Sequence, residues 1–323
     1  MDKVKVGFIG GGGIASIHLK NLAKDDRVEI ISICDIVKEN AEKTASKYNA
    51  KAYTNAEEML EKESVDALFL CVPPFAHGDI EEKAAQKGIH LMVEKPLGLD
   101  VDTARYKLKV IQESGILCAS GYCLRYLDTV KKAKEYLKDK QIAMIRGHYI
   151  TSFVPTPPWY REMNKSGGQL VEQATHTMDL IRYLGGEINQ VYANMNLQVL
   201  KDIENIDIPD ATSVNFTLNS GAVGHLDCSF TQTDHRMGVE LLGKDFRVVI
   251  DGGVNLTIVE KDSTITYPSK VDFYEEQDKA FIEAVLTGNR AVILSNYESG
   301  LNTLEVTLAA NKSQELGKPI PLT

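Results

Sequence analysis

The sequence predicts an α/β protein of two domains: a doubly wound parallel sheet over residues 1–121, then an α+β domain with a large, mostly antiparallel sheet over 122–323. Three observations predict it. At 323 residues the chain is longer than one hydrophobic core usually grows. Its first third alternates short apolar runs with helical patterns, the order of right-handed crossovers in an open parallel sheet. Beyond about residue 142 the pattern turns to apolar–polar alternation broken by tight turns, as in half-covered antiparallel strands.

The first-domain strands read as VKVGFIG (4–10), VEIISIC (28–34), DALFLCV (66–72), IHLMV (89–93) and ILCASG (116–121), near-continuous apolar runs suited to strands covered on both faces. Between them lie amphipathic helices, one with Ala15, Leu19, Leu22 and Ala23 on one face and one in VKENAEKTASKY. In the second domain Val214, Phe216 and Leu218 alternate with polar residues, NSG (219–221) makes a turn, and AVGHLDCSF returns as the partner strand. GVELLG, FRVVID and NLTIVE continue the meander, and helices cover one face, including one opened by GGQLVEQATH. Two helices, FYEEQDKAFIEAVLTG and SGLNTLEVTLAANKSQELGK, close the chain, the last free to pack back on the first domain. Neither internal repeats nor low-complexity segments interrupt it.

The strongest local signal is VGFIGGGGIASIH, where Gly10, Gly12 and Ala15 fit G-x-G-x-x-[GA] between a strand and a helix. Glycines there permit the tight turn and a close pyrophosphate, whose charge meets the free N–H groups of Gly12, Gly13, Ile14 and Ala15 at the helix N-terminus. A flexible loop would explain four glycines alone. Asp35, however, ends the second strand where this fold places the acid that binds ribose hydroxyls. It repels a 2′-phosphate, and Ile36 and Val37 offer no compensating cation, so NAD is expected over NADP.

Ligands of such sheets collect at the carboxyl ends of the strands. CVPPFAHGD therefore places Val72, Pro73, Pro74 and His77 along the expected cofactor, with His77 alternatively a helix-start residue bonded to backbone. HLMVEKPLG places Glu94 and Lys95 on the same side. In GGQLVEQATHTMD (167–179), Glu172 and His176 are four residues apart, a spacing that permits a metal half-site, an acid/base pair or a polar stripe. No H-E-x-x-H or further His/Cys cluster accompanies them, so no metal is expected. Asp179 reads as structural.

The glycine turn, the P-P-x-x-H stretch, EKP, GYCLRY (121–126) and the glycine-led segment with an acid and a histidine resemble, in order and spacing, the Gfo/Idh/MocA oxidoreductase family. The resemblance spans the chain. It implies an N-terminal Rossmann domain, a C-terminal sheet often used for oligomerisation, and oxidation of a secondary alcohol of a sugar or cyclitol, or the reverse. It also implies that Lys95 is the catalytic lysine and His176 the histidine acting with it. Two departures stand out: Glu172 replaces the usual Asp, and Gln169 follows Gly167 and Gly168 where a third glycine is usual.

The chemistry agrees. A carbinol releases hydride to nicotinamide as its hydroxyl proton leaves, which calls for a base such as His176. The Lys95 ammonium can hydrogen-bond the same oxygen, while Glu172 orients the imidazole or holds a neighbouring hydroxyl. Arg125, Tyr126, Trp159, Tyr160 and Arg161 are candidate substrate contacts, since aromatic rings suit sugar C–H faces and arginine suits hydroxyls or an acid. Packing or a salt bridge would explain them equally. The expected activity is an NAD-dependent dehydrogenase acting on CH–OH groups. Alternatives are a redox-neutral, glycoside-cleaving relative that uses NAD transiently, and a non-catalytic NAD-dependent sensor.

A net charge of −9 with interspersed signs argues against nucleic acid and against an anionic membrane surface. Five cysteines without C-x-x-C predict buried free thiols in a reducing compartment. The N-terminus reads as too weakly apolar for a signal peptide, and a cytoplasmic homodimer or homotetramer with a small-molecule carbohydrate or polyol substrate is expected.

Overall fold

The structure, a computed structural model, describes residues 3–154 and 156–322, which form two compact units. The first comprises the chain through Cys123 together with Asp272–Leu301, the second Leu124–Val271 together with the residues from Asn302 onward.

The first unit runs β1 (Val4–Ile9), α1 (Gly13–Leu22), β2 (Val28–Cys34), α2 (Lys38–Lys47), β3 (Lys51–Tyr53), α3 (Ala56–Lys62), β4 (Ala67–Leu70), α4 (Ile80–Gln86), β5 (His90–Val93), α5 (Val101–Ser114) and β6 (Cys118–Ser120). Its sheet is parallel throughout, in the order β3-β2-β1-β4-β5-β6. The order reverses between β1 and β4, so their carboxyl ends flank the crevice where ligands of such sheets bind. The central runs are buried because helices cover both faces; every residue of β4 is inaccessible. Edge strand β3 escapes the sequence pattern, since its three residues are exposed or half-buried. Asp100 and Gly115 bound α5: the Asp100 carboxylate accepts the Thr103 N–H at 2.7 Å, and Gly115 ends the helix left-handed.

The second unit contributes α6 (Asp128–Leu137), β7 (Ile142–Ile150), α7 (Met163–Ser166), α8 (Gly168–Glu172), α9 (Thr175–Gly185), β8 (Ile188–Asn196), β9 (Ala211–Leu218), β10 (Val223–Ser229), β11 (Arg236–Gly243), β12 (Phe246–Asp251), β13 (Asn255–Glu260) and β14 (Ser263–Tyr267). After α10 (Phe273–Thr287) and α11 (Tyr297–Leu316), β15 (Ile320–Pro321) completes a sheet of order β14-β13-β12-β11-β7-β10-β9-β8-β15. The hairpin at NSG and the meander follow the sequence pattern, and among the described strands of this sheet only β7 and β10 pair in parallel. Helices α6 and α9 pack on this sheet. Gly147 of β7 makes room for α9: a Cβ there would lie 2.8 Å from the Ile181 side chain. The opposite positions of β9, Ser213, Asn215 and Thr217, stay half-buried or exposed while Val214, Phe216 and Leu218 are buried.

Two expectations need correcting. Glu172 and His176 do not share one helical face. The Ala174 N–H reaches back five residues to Gln169 O at 2.8 Å, and the His176 and Thr177 N–H groups then reach back only three, so Glu172 ends α8 and His176 opens α9. All of α8 is buried and α9 is anchored separately through Asp179, and the irregular turn reconciles the two demands.

Residues 272–301 were expected in the second domain but cluster with the first unit. Packing explains this: Phe281 of α10 meets Phe69 of β4 edge-on at 5.5 Å, and Phe69 stacks on Phe8 at 4.8 Å. His18, rather than the exposed Ala23, completes the buried face of α1, and its Nδ1 lies 2.6 Å from Asp278 of α10. Its Nε2 lies 3.1 Å from Glu94.

Burial opposes a charge on His18, but Asp278 and then Glu94 outweigh it and push the imidazole up to about 10. A folded pKa above the ordinary 6.5 stabilises the protein fully below pH 6.5, and the gain is lost as pH rises towards 10. His18→Gln should therefore cost roughly 3–5 kcal/mol at pH 6 in urea titrations, and the gap to wild type should narrow by pH 9.5. A gap independent of pH would refute a charged His18.

Candidate active site

The cofactor side is built at the carboxyl ends of β1, β2 and β4. Gly10 leaves β1 at φ 95° with its N–H bonded to Cys34 O at 2.8 Å, and a Cβ there would lie 2.3 Å from Cys71 O. Only glycine tolerates both the left-handed backbone and that approach. Val72 packs against the same turn, its side chain 3.2 Å from where that Cβ would stand. Gly12 and Gly13 face open space, and α1 begins without a side-chain cap, so the N–H groups through Ala15 remain available to an anion. Asp35 sits beside this turn: its two carboxylate oxygens accept the Gly11 and Val37 N–H groups, each at 2.9 Å. Ile36 is 91% exposed and no cation pairs with Asp35 among the described residues. A glycine turn, a free helix N-terminus and an acid without a cation fit a dinucleotide with an unsubstituted ribose.

The remaining residues assigned to the cofactor divide. Pro73 and Pro74 leave β4 and open a short 3₁₀ turn (Pro74–Ala76). His77 is turned inward: its Nδ1 meets Glu81 at 2.8 Å, and Glu81 meets Lys107 at 2.7 Å, all three buried. That bond goes to a side chain of α4, so His77 belongs to a buried polar cluster and is not a backbone-bonded helix start, while its Nε2 has no partner among the described residues. Glu94 is likewise internal, 3% exposed, and a Cβ on Gly121 would lie 2.5 Å from its Oε1. One oxygen meets His18, and the other accepts the Lys95 N–H at 3.2 Å. Glu94 thus braces the backbone of Lys95 from the interior. Lys95 is half-buried at the end of β5, ahead of a cis bond to Pro96.

In the second unit a small cavity of about 20 Å³, room for about one water, opens beside α8, lined by Gln169, Glu172, Tyr160, Phe153, Ile208 and Phe230 among others. His176 is half-buried in the first turn of α9. Trp159 stacks on Tyr160 at 4.0 Å in the 3₁₀ turn Pro158–Arg161, and Tyr126 is half-buried. Arg161 Nη1 donates to Glu204 O at 3.1 Å, so this side chain braces the 200–210 loop. Arg125 is committed elsewhere: its Nε and Nη2 donate to the two Asp179 oxygens at 2.7 and 2.6 Å, both residues being buried. Thr303 also donates to Asp179, and Arg182 donates to Thr303. The bidentate pair gives Arg125 a structural role, the salt-bridge reading of this residue.

Sequence reasoning missed Gln169, Phe153, Phe230, His18 and Asp278. His18 was within reach, since it falls at i+3 from Ala15 on the buried face of α1. The five cysteines are buried free thiols. Among the described residues no three His, Cys, Asp or Glu side chains are grouped to hold a metal, and no helix is long and apolar enough to cross a membrane.

Two family models match the chain. The oxidoreductase family, NAD-binding Rossmann fold, covers residues 4–122, and the GFO/IDH/MocA C-terminal domain covers residues 130–253. The chain belongs to the Gfo/Idh/MocA family. It is similar to the myo-inositol 2-dehydrogenase of Thermotoga maritima, 27% identical over 99% of this chain and 98% of the relative. It is also similar to the scyllo-inositol 2-dehydrogenase (NAD(+)) of Bacillus subtilis (strain 168), 26% identical over 99% and 96%. Levoglucosan dehydrogenase in complex with NADH superposes over 100% of both chains with a TM-score of 0.88 at 18% identity, a likeness of fold. As a family member the chain is an NAD-binding dehydrogenase, and its first unit is the Rossmann domain.

If Asp35 accepts the ribose hydroxyls and repels a 2′-phosphate, NAD should bind at least about tenfold tighter than NADP, or about 1.4 kcal/mol. Calorimetry giving equal dissociation constants would contradict this. Asp35→Ser with Ile36→Arg should shift the preference towards NADP.

Proposed function

We propose that this family member transfers a hydride between NAD and a secondary alcohol of a sugar, cyclitol or related polyol. The observation that carries the proposal is the mounting of Lys95. It follows β5 on the ligand edge of the parallel sheet, with its N–H on Glu94 and Glu94 in turn on buried His18. An ammonium carried on a backbone fixed in this way stabilises charge on a reacting oxygen. The inositol dehydrogenases among the relatives support the polyol class.

NAD, when bound, supplies the hydride acceptor. The remaining work falls to side chains. His176 takes the hydroxyl proton as the C–H bond breaks, and the Lys95 ammonium donates a hydrogen bond to the same oxygen as it gains negative charge. In the reverse direction the same two groups return the proton to the alkoxide. Glu172, which ends α8 on the cavity wall, accepts a hydrogen bond from a neighbouring substrate hydroxyl. The open face of the nine-stranded sheet serves a homodimer or homotetramer, and light scattering at micromolar concentration tests this: a monomer would refute it.

Lys95→Ala and His176→Ala should each lower kcat by on the order of a hundredfold or more with NAD affinity unchanged, in assays that follow NADH absorbance. Glu172→Gln should mainly raise KM, as expected for a substrate-hydroxyl ligand, whereas a large loss of kcat would make it a partner of His176. Near-normal turnover in Lys95→Ala would remove the hydride-transfer assignment. Stoichiometric NADH separates this chemistry from a redox-neutral cleavage.

A further inference from the structure

We infer that His18 and Asp278 are positioning residues for the reaction: through Glu94 they set where Lys95 leaves the sheet, an inference that rests on the hydride-transfer reading above. The backbone ladder of β5 ends just before the lysine. The Gly121 N–H donates to Val93 O and the Glu94 N–H to Leu70 O, each at 2.9 Å. The Lys95 N–H lies one residue further on, and a side chain holds it instead: it donates to Glu94 Oε2 at 3.2 Å. The backbone that carries the reacting ammonium therefore depends on where this carboxylate stands.

Two neighbours decide where Glu94 stands. Gly121 leaves it just enough room, since a Cβ there would lie 2.5 Å from Oε1. His18 Nε2 meets the same oxygen at 3.1 Å, and His18 Nδ1 meets Asp278 at 2.6 Å, all three side chains being buried. A neutral imidazole has one N–H and would turn a lone pair on one of the two carboxylates, whereas the imidazolium donates to both. Asp278 favours that charged form and is itself fixed by Asn21 at 3.0 Å. Burying three ionisable groups costs more than packing apolar side chains of the same size, so packing alone does not account for them. Their bonds run in one line from α10 through α1 to the residue placed on the reacting oxygen. A misplacement of about 1 Å, even from a change far from the chemistry, can slow a reaction by about a hundredfold.

The test is a kinetic double-mutant cycle followed by NADH absorbance, on the best substrate from a panel of inositols, sugars and sugar acids. His18→Gln and Asp278→Asn should each lower kcat about tenfold or more, while KM and the NAD dissociation constant stay within about threefold. In a Lys95→Ala background the same two changes should lower kcat by less than about twofold, because they act through the lysine. A general defect of folding would multiply with the loss of Lys95 instead. Gly121→Ala, which displaces Glu94 without touching α1 or α10, should copy the kcat loss, and it decides the matter if the cluster variants do not fold. Glu283→Gln breaks the exposed 2.8 Å pair that also ties α10 to Arg27, and should leave kcat within about twofold. Undiminished kcat in folded His18→Gln or Gly121→Ala protein, losses that multiply with Lys95→Ala, or an equal loss in Glu283→Gln would overturn the inference alone. Near-normal turnover in Lys95→Ala, or no NADH from any member of the panel, would remove the hydride-transfer reading and this inference with it.

Discussion

A histidine buried between two carboxylates organises the first unit. His18 comes from the helix that follows the glycine turn, Glu94 from the end of β5, and Asp278 from a helix some 180 residues further along the chain. A buried carboxylate alone is expensive, and so is a buried imidazolium; together they are tolerable only in fixed geometry. That requirement ties the glycine turn, Lys95 and α10 to one another. It also explains why the chain returns to the first unit after completing most of the second. An apolar trio would pack as well but would not specify the position of each element so closely. Asn21, which donates to Asp278 at 3.0 Å, satisfies the remaining carboxylate oxygen.

The second unit uses the same device on α9. Asp179 receives both forks of Arg125 and the hydroxyl of Thr303, while Arg182, one turn later, bonds Thr303 and pairs with Glu187 at 2.6 Å. Tyr183 lies 4.7 Å from the Arg125 guanidinium and 3.4 Å from the Lys134 ammonium, so its ring shares the positive charge. Fixing Asp179 also fixes the backbone of the first turn of α9, which carries His176. Helix α8 is held independently, since Asn311 donates to Gly167 O at 2.9 Å. Two anchors out of helical phase leave an irregular turn between them, and Glu172 and His176 fall on opposite sides of it.

What the sequence reveals follows from how local the determining physics is. The glycine turn, Asp35 and the parallel strands are readable because their constraints act within a few residues: a left-handed backbone at Gly10, an acid at a strand end, an apolar run buried on both faces. The hairpin at NSG is readable for the same reason. The helix break between Glu172 and His176 is not, because it arises from distant anchors on Asp179 and Gly167. Position at a strand end does not give side-chain partners: His18 holds Glu94, and Glu81 holds one nitrogen of His77, in the interior. Arg125 illustrates the same limit, since its carboxylate partner is 54 residues away. Phe153, Ile208 and Phe230 meet only through folding and have no motif to announce them.

Asp35 shows how a residue can be structurally engaged and still available. Each carboxylate oxygen accepts one backbone N–H, from Gly11 and from Val37, which fixes the plane of the group against the glycine turn. A carboxylate has about four lone-pair sites, so two remain for the adjacent hydroxyls of a ribose. Because the carboxylate is already oriented, these ribose bonds require no ordering of the side chain, which favours affinity. Substituting glutamate would add a methylene and carry the oxygens past both N–H groups, and asparagine would place a donor against one of them. The same fixed negative charge would repel a phosphate at the ribose 2′ position, so one short side chain that holds the turn is also placed to favour an unsubstituted ribose.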